Sequence, residues 1–152
     1  MNTVVQNIDV YWDYELDELY TLIPIENQTL RLGIQLIEET YETVYGNIYV
    51  SVYNKRKHRD YNEDNILWTG RNPIQTVFYG MRAFKELEKA ALEKWNETYK
   101  VILFCDWLDK RRRDVYYKFL SRRGYRYDRL GGKKVIMKVW KKGEYGSEDK
   151  YD

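Results

Sequence analysis

The chain has 152 residues, 43% hydrophobic and 33% charged, which is the size and balance of one domain with its own core. No apolar run approaches the roughly 20 residues that span a bilayer, and the acidic N-terminus lacks the basic start of a signal peptide. One cysteine rules out an internal disulfide, and one histidine argues against a structural zinc site. We therefore expect a cytoplasmic domain over residues 1–142, without metal or membrane association, and a frayed polar tail over 143–152.

The net charge of +2 conceals a segregation of charge along the chain. Residues 110–142 contain 14 of the 26 Lys and Arg residues but only two of the 24 acids, so this segment carries +12. The remainder holds 12 basic and 22 acidic residues and carries −10. Such segregation concerns partners and long-range fields rather than the fold.

The N-terminal third predicts strands with one short helix. Val4, Ile8, Val10 and Trp12 alternate as in a strand. The acidic segment DYELDELYTLI that follows is interpreted as a short helix ended by Pro24. Two alternating runs come next, TLRLGIQLIEE and YGNIYVSVYN, and are predicted to pair antiparallel with a turn near Tyr-Gly-Asn at 45–47.

The middle of the chain predicts a loop, a strand and a long helix. KRKHRDYNED, which contains His58, is interpreted as a loop, and NILWTG as a short strand that ends at Gly70. From Pro73 the apolar spacing becomes helical and continues to Trp95. Asn72 is a suitable N-cap, and proline is favoured at the first helical position, where no N–H is needed.

The last third predicts a buried strand, a second helix and a closing hairpin. YKVILFCDW is a continuous apolar run, as in a strand covered on both faces. DKRRRDVYYKFLSRR predicts a helix capped by Asp109 and ended by Gly124. The residues expected to face the core are Val115, Phe119 and Leu120. YRYDRL and KKVIMKVW then pair across Gly131-Gly132.

This order of elements predicts an α/β fold in a single domain. The sheet should be mixed, mostly antiparallel and central, flanked by helices on both sides. Over residues 66–140 the order resembles that of the GNAT superfamily of acyl-CoA N-acyltransferases. The resemblance is carried by NILWTG, the long helix, YKVILFCDW, and a helix that runs through DVYYKFLSRR into Gly124-Tyr125. In that family the closing hairpin fills one edge of the sheet.

The resemblance implies transfer of acetyl from acetyl-CoA to an amine of a small molecule or protein. In the family, a glycine-containing loop before the long helix binds the pyrophosphate of coenzyme A through backbone amides. The matching loop here is WTGRNP, with Thr69, Gly70, Arg71 and Asn72 as cofactor-binding candidates. It keeps one glycine of the family pattern, and Arg71 could supply a charge-assisted contact to phosphate.

The resemblance also implies an acid and a base. In many members a tyrosine on the second helix protonates the leaving thiolate, and Tyr116 and Tyr117 lie on that helix. The base that deprotonates the amine would be Glu63 or Asp64, before the fourth strand, or Asp106 after the buried strand.

Two other functions stay open. The chain could be a catalytically inactive GNAT-like protein that binds a protein partner, as a phage-type inhibitor or virion-associated factor would. Alternatively, the interleaved arginines and tyrosines of residues 110–142 permit binding of nucleic acid or of an anionic protein. For single residues the plainer interpretations are packing for Tyr116 and Tyr117 and an inert core thiol for Cys105.

Overall fold

A computed structural model describes residues 8–25, 28–54, 59–61 and 73–149. The strands are β1 (Tyr11–Asp13), β2 (Glu18–Ile25), β3 (Gln28–Glu39), β4 (Thr43–Asn54), β5 (Arg59–Tyr61), β6 (Lys100–Cys105), β7 (Arg126–Leu130) and β8 (Lys133–Trp140). The helices are α1 (Pro73–Trp95), α2 (Lys110–Leu120) and α3 (Glu144–Asp149).

These strands form one sheet in the order β1-β2-β3-β4-β6-β8-β7, with β5 paired to β4 outside this path. The pairing of β4 with β6 is parallel, and the other strand pairs are antiparallel. The fold is therefore α/β with a mixed, mostly antiparallel sheet, as the sequence predicted. The closing hairpin of β7 and β8 lies at one end of the strand order, so β7 is an edge strand.

Both long helices lie on the same face of the sheet, whereas the sequence predicted helices on both faces. The chain passes from β4 to β6 through α1 and from β6 to β7 through α2, and both connections move in the same direction along the sheet. Right-handed crossovers in one direction place their helices on one face. The rings of Phe84 on α1 and Phe119 on α2 accordingly contact each other, with centroids 6.1 Å apart.

The core lies between α1 and the middle of the sheet. Leu87 and Ala91, one helical turn apart on α1, are fully buried, as are Val101 and Leu103 on β6. The helical spacing and the continuous apolar strand that the sequence showed thus meet in one cluster. The predicted long helix from Pro73 and the predicted buried strand are both confirmed.

Residues 18–25 form a strand, so the helix predicted for DYELDELYTLI is wrong. Leu19, Thr21 and Ile23 are buried at alternate positions, which is the period of a strand. The acid that suggested a helix surface, Glu18, is only 2% exposed because it pairs with a basic side chain of β3. Pro24 is tolerated because β1 pairs only with the first three residues of β2, beyond which the described strands leave that side unpaired.

The turn between β3 and β4 lies at residues 40–42, and the turn expected at residues 45–47 is wrong. Those three residues lie within β4 and pair with β3. A Cβ on Gly46 would lie 2.7 Å from Cγ2 of Ile34 and 2.9 Å from Cδ2 of Leu103. The glycine is needed for close packing between β4 and its neighbours rather than for a turn.

The second helix and the hairpin follow the predicted signals. The carboxylate of Asp109 caps α2 by accepting a hydrogen bond of 2.8 Å from the N–H of Arg112. A 3-10 turn over Ser121–Arg123 follows, and Gly124 ends it with a φ of 92°. The hairpin turns at two glycines with φ of 58° and 82°. Of the three residues predicted to face the core, Leu120 is buried, whereas Val115 is 37% exposed and Tyr116 is buried in its place.

The segment expected to be a frayed tail forms a docked helix over residues 144–149. The side chain of Asn96, at the end of α1, is almost fully buried and anchors it. Its Nδ2 donates to the carbonyl of Lys141 at 3.0 Å, and its Oδ1 accepts from the N–H of Tyr145 at 2.8 Å. The part of the tail that the structure describes is therefore held against the domain.

Candidate functional site

The parallel strands β4 and β6 part at their carboxyl ends. They pair from Thr43 and Lys100 to Asn47 and Phe104. Beyond that point β6 ends at Cys105, whereas β4 continues to residue 54 and pairs with β5 instead. Open α/β sheets bind ligands at the carboxyl ends of their strands, where neighbouring connections diverge. The parting therefore marks the place where a ligand crevice is expected.

A cavity of about 280 Å³ opens at this place. Its floor is formed by β2, β3 and β4, with Leu32 and Ile48 as central members, and its walls by α1 and α2. The wall residues Phe84 and Phe119 are those whose rings bring the two helices into contact. Because the lining is almost wholly apolar, a polar ligand group placed inside it would lose hydrogen bonds to water without replacement. The cavity is suited to an apolar group.

Two basic side chains border the same cavity. Lys118 belongs to α2 and Arg122 to the 3-10 turn that follows, four residues further along the chain. Both residues are exposed, and neither forms an ion pair with an acid of the described part of the chain. The rim of an otherwise apolar cavity thus carries two positive charges.

Tyr116 and Tyr117, which the sequence made equal candidates for the acid, lie in different surroundings. Tyr116 lines the cavity and is 7% exposed. The ring of Tyr117 instead stacks on that of Tyr127, with centroids 4.2 Å apart and an interplanar angle of 8°. Tyr117 does not line the cavity, although its neighbours Tyr116 and Lys118 do. Cys105 lines the cavity beside Tyr116.

Of the other predicted site residues, only Asp106 belongs to the described part of the chain. Glu63, Asp64, Thr69, Gly70, Arg71 and Asn72 lie outside the described residues, as does His58. Asp106, the third base candidate, accepts a hydrogen bond of 2.9 Å from Nζ of Lys133 and does not line the cavity.

A polar network that the sequence did not reveal joins β1, β2, β3 and β4. We call Glu18, Arg31 and Tyr49, together with Asp13, the strand network. Nε of Arg31 donates to the hydroxyl of Tyr49 at 3.0 Å, and that hydroxyl donates to Oε1 of Glu18 at 2.5 Å. Nη2 of Arg31 forms ion pairs with Glu18 and, at 3.2 Å, with Asp13.

Tyr49 and Arg31 of the strand network keep their protons over a wide pH range. Burial, followed by the hydrogen bond and charge of Glu18, raises the pKa of Tyr49 well above its usual value. Burial opposes the charge of Arg31, but Tyr49 and Glu18 outweigh it and raise the pKa of the guanidinium. The network therefore serves as a fixed link between strands rather than as a proton donor near neutral pH.

A second network joins α1 to the chain that follows α2. We call Glu88, Arg123 and Tyr125 the helix network. Nη2 of Arg123 donates to Oε1 of Glu88 at 2.6 Å, and the hydroxyl of Tyr125 donates to Oε2 at 2.7 Å. Burial and then the charge of Glu88 raise the pKa of Tyr125 well above its usual value. The ring of Tyr125 also packs edge-on against Phe84, 5.8 Å away, and so supports the cavity wall.

The basic segment, residues 110–142, forms α2 and the hairpin edge of the sheet. Tyr127 contacts Tyr117 and, at 5.9 Å, Trp107, and Nζ of Lys134 lies 4.9 Å from the centre of its ring. Within the described ranges, four of the 14 basic residues of the segment pair with an acid: Arg112, Arg113, Arg123 and Lys133. Most of the positive charge of the basic segment is therefore not neutralised by the described acids.

Comparisons with known proteins return no relative. No protein-family model, no curated protein and no solved structure matches the chain. Among the residues that the structure describes, no group of three or more His, Cys, Asp or Glu side chains is arranged to hold a metal ion. None of the described helices is both long and apolar enough to span a membrane.

Proposed function

We propose that this chain is a GNAT-like N-acyltransferase that transfers the acyl group of an acyl-CoA, acetyl-CoA in the simplest case, to an amine. The observation that carries the proposal is the cavity that contains Tyr116 at the point where the parallel strands β4 and β6 part. The buried strand between two helices and the closing hairpin at the sheet edge support the family resemblance.

The reaction needs an acid beside the thioester sulfur and a base beside the amine. The amine nitrogen attacks the thioester carbonyl carbon, the C–N bond forms, and the C–S bond breaks. The amine loses a proton to a base, for which Glu63 and Asp64 are the candidates. The hydroxyl of Tyr116 protonates the leaving thiolate. The products are an amide and free coenzyme A.

The phosphates of the donor would be bound at the start of α1. Gly80, Met81 and Phe84 of α1 line the cavity, and the helix begins seven residues before Gly80, at Pro73. The partial positive charge of a helix N-terminus favours phosphate. Thr69, Gly70, Arg71 and Asn72 immediately precede it in the sequence. We expect Arg71→Ala to weaken acetyl-CoA binding at least tenfold in titration calorimetry. If the wild type does not bind acetyl-CoA at millimolar concentration, the acyltransferase proposal is wrong.

A pair of tyrosine variants tests the acid. Release of free thiol from acetyl-CoA, with a panel of amines, should fall about 100-fold or more in kcat for Tyr116→Phe, the range of a lost general acid. Tyr117→Phe is the matched control, because its hydroxyl lies on the same helix but away from the cavity, and should stay within about twofold. Equal losses in both variants would contradict the assignment.

Binding of an anionic partner through residues 110–142 is the second candidate function. It is favoured by the aromatic group of Trp107, Tyr117 and Tyr127, which lies beside Lys134, a cation that pairs with no acid in the described ranges. A single-stranded oligonucleotide should bind with an affinity that falls steeply with salt. If neither coenzyme A nor nucleic acid binds, the remaining alternative is an inactive GNAT-like protein that binds an anionic protein partner.

A further inference from the structure

The cavity is too large and too apolar for an acetyl group alone. Its volume of about 280 Å³ would hold on the order of nine water-sized groups at about 30 Å³ each. An acetyl group contributes one methyl to such a space. The rest would stay empty or hold water against an apolar lining, and both outcomes are unfavourable.

The lining accepts carbon rather than polar atoms. The floor residues Leu30, Leu32 and Ile48 and the wall residues Phe84 and Phe119 offer no hydrogen-bonding side chain. Of the polar side chains at the cavity, the thiol of Cys105 already donates to a backbone carbonyl at 3.3 Å. A flexible aliphatic chain meets this lining with no unsatisfied polar atom.

The rim indicates the chemistry of the other end of the ligand. Lys118 and Arg122 border the apolar space and have no acid to neutralise them among the described residues. A ligand with an aliphatic tail and an anionic head would place the tail in the cavity and the head at these two cations.

We propose that this cavity binds an unbranched acyl chain of roughly eight carbons, which is the order that its volume allows, with an anionic group at Lys118 and Arg122. The anion at the two cations is the carboxylate of a free medium-chain acid. A thioester, which is neutral beside its acyl chain, would place the same chain in the cavity and its phosphates at the start of α1, so the acyl donor is a medium-chain acyl-CoA rather than acetyl-CoA. The identity of the thioester rests on the proposed function, whereas the binding of the chain itself does not.

The test compares three probes by titration calorimetry: acetyl-CoA, octanoyl-CoA and octanoate. Octanoyl-CoA should bind at least about 100-fold more tightly than acetyl-CoA, since each buried methylene adds about fourfold in affinity. Gly80 lines the cavity, and among the described residues a Cβ there would meet only the ring of Phe119, at 3.8 Å. Gly80→Leu should therefore fold, fill the cavity and abolish the preference, and Gly80→Ala, a smaller change, should reduce it.

A charge reversal tests the rim. Lys118→Glu combined with Arg122→Glu should weaken octanoate binding at least tenfold. Lys110→Glu, on the same helix but away from the cavity, should leave octanoate binding unchanged.

The outcomes separate the two proposals. Equal affinity for the two thioesters overturns the medium-chain inference and leaves the acyltransferase proposal standing. Octanoate binding that Gly80→Leu removes, with no binding of either thioester, supports the chain site and overturns the acyltransferase proposal. No binding of any probe overturns both.

Discussion

The strand network and the helix network each contain a glutamate, an arginine and a tyrosine, and the strand network also contains Asp13. The two networks bury different members of the shared set. In the strand network the cation is buried: the side chain of Arg31 is 10% exposed and bonds to three acceptors. In the helix network the side chain of Arg123 is 29% exposed, its Nε has no hydrogen-bond partner among the described residues, and Tyr125 is fully buried.

The difference shows that the same ion pair can serve two kinds of contact. The strand network links the four strands β1 to β4 around one guanidinium, so its stability should depend on the charge of that group. The helix network links α1 to a segment about 35 residues away through the two oxygens of Glu88. Its stability should depend on that carboxylate and on the phenol of Tyr125, which has no access to water.

Arg31→Met should have the largest effect. It leaves Glu18, which is almost fully buried, without its cation, and breaking a buried pair in this way costs about 3 to 5 kcal/mol in unfolding free energy. Urea denaturation followed by circular dichroism measures it, with the exposed Arg129→Met as the control. Because apolar replacement of both partners is often neutral, Glu18→Met with Arg31→Met should recover at least half of the loss. A loss in the double variant equal to the sum of the single losses would contradict this account.

Glu88→Ala should destabilise the protein by a smaller amount, about 2 to 3 kcal/mol, because partly exposed Arg123 can turn toward water when its partner is removed. The same denaturation measurement applies. Glu93→Ala, an exposed acid on the same helix, is the control and should lie within about 0.5 kcal/mol of the wild type. A larger loss for Glu88→Ala than for Arg31→Met would reverse the proposed order.

Tyr125→Phe should cost about 1 to 3 kcal/mol at neutral pH, since Oε2 of buried Glu88 loses its donor. The variant should also change the response to base. The pKa of Tyr125 in the folded protein lies above the unfolded value of about 10, so its contribution is complete below that pH and decreases as the pH rises above it. The wild type should lose stability between pH 10 and 12 more steeply than Tyr125→Phe. Parallel curves over that range would show that the phenol does not resist ionisation.

Lysine substitutions should give the smallest effects and the sharpest contrast. Arg31→Lys keeps the charge but cannot reach Tyr49, Glu18 and Asp13 at once, so a loss of about 1 to 3 kcal/mol is expected. Arg123→Lys keeps the pair with Glu88 and removes an Nε that bonds to none of the described residues, so its loss should stay below about 1 kcal/mol. Thermal unfolding of the two variants side by side measures the difference. Equal losses would mean that burial of the cation does not distinguish the networks.

Local sequence signals predicted an element correctly where the contacts that form it lie within a few residues. The cap at Asp109, the glycine at 124 and the pair Gly131-Gly132 each act within a few residues, and each predicted element is present. The apolar spacing of α1 and the continuous apolar run of β6 likewise predicted these elements, because the period of the apolar residues indicates which faces are buried.

Two wrong predictions, the helix over DYELDELYTLI and the turn at residues 45–47, arose because the deciding contacts are distant in sequence. Glu18 favoured a solvated helix because its partners Arg31 and Tyr49 lie 13 and 31 residues away. Gly46 resembled a turn because the side chain of Leu103, which excludes a Cβ there, belongs to a strand far along the chain. For the candidate site, the sequence supplied Tyr116 but gave Tyr117 equal standing, and only the packing of α2 against the sheet assigns one of them to the cavity.

The sequence by itself therefore determined the order of most elements, the mixed sheet and the basic character of residues 110–142, since periodicity, caps and charge are properties of short segments. The tertiary structure decided which face each helix covers, where β4 and β6 part and which buried charges pair. Those outcomes depend on side chains that meet only after the chain has folded.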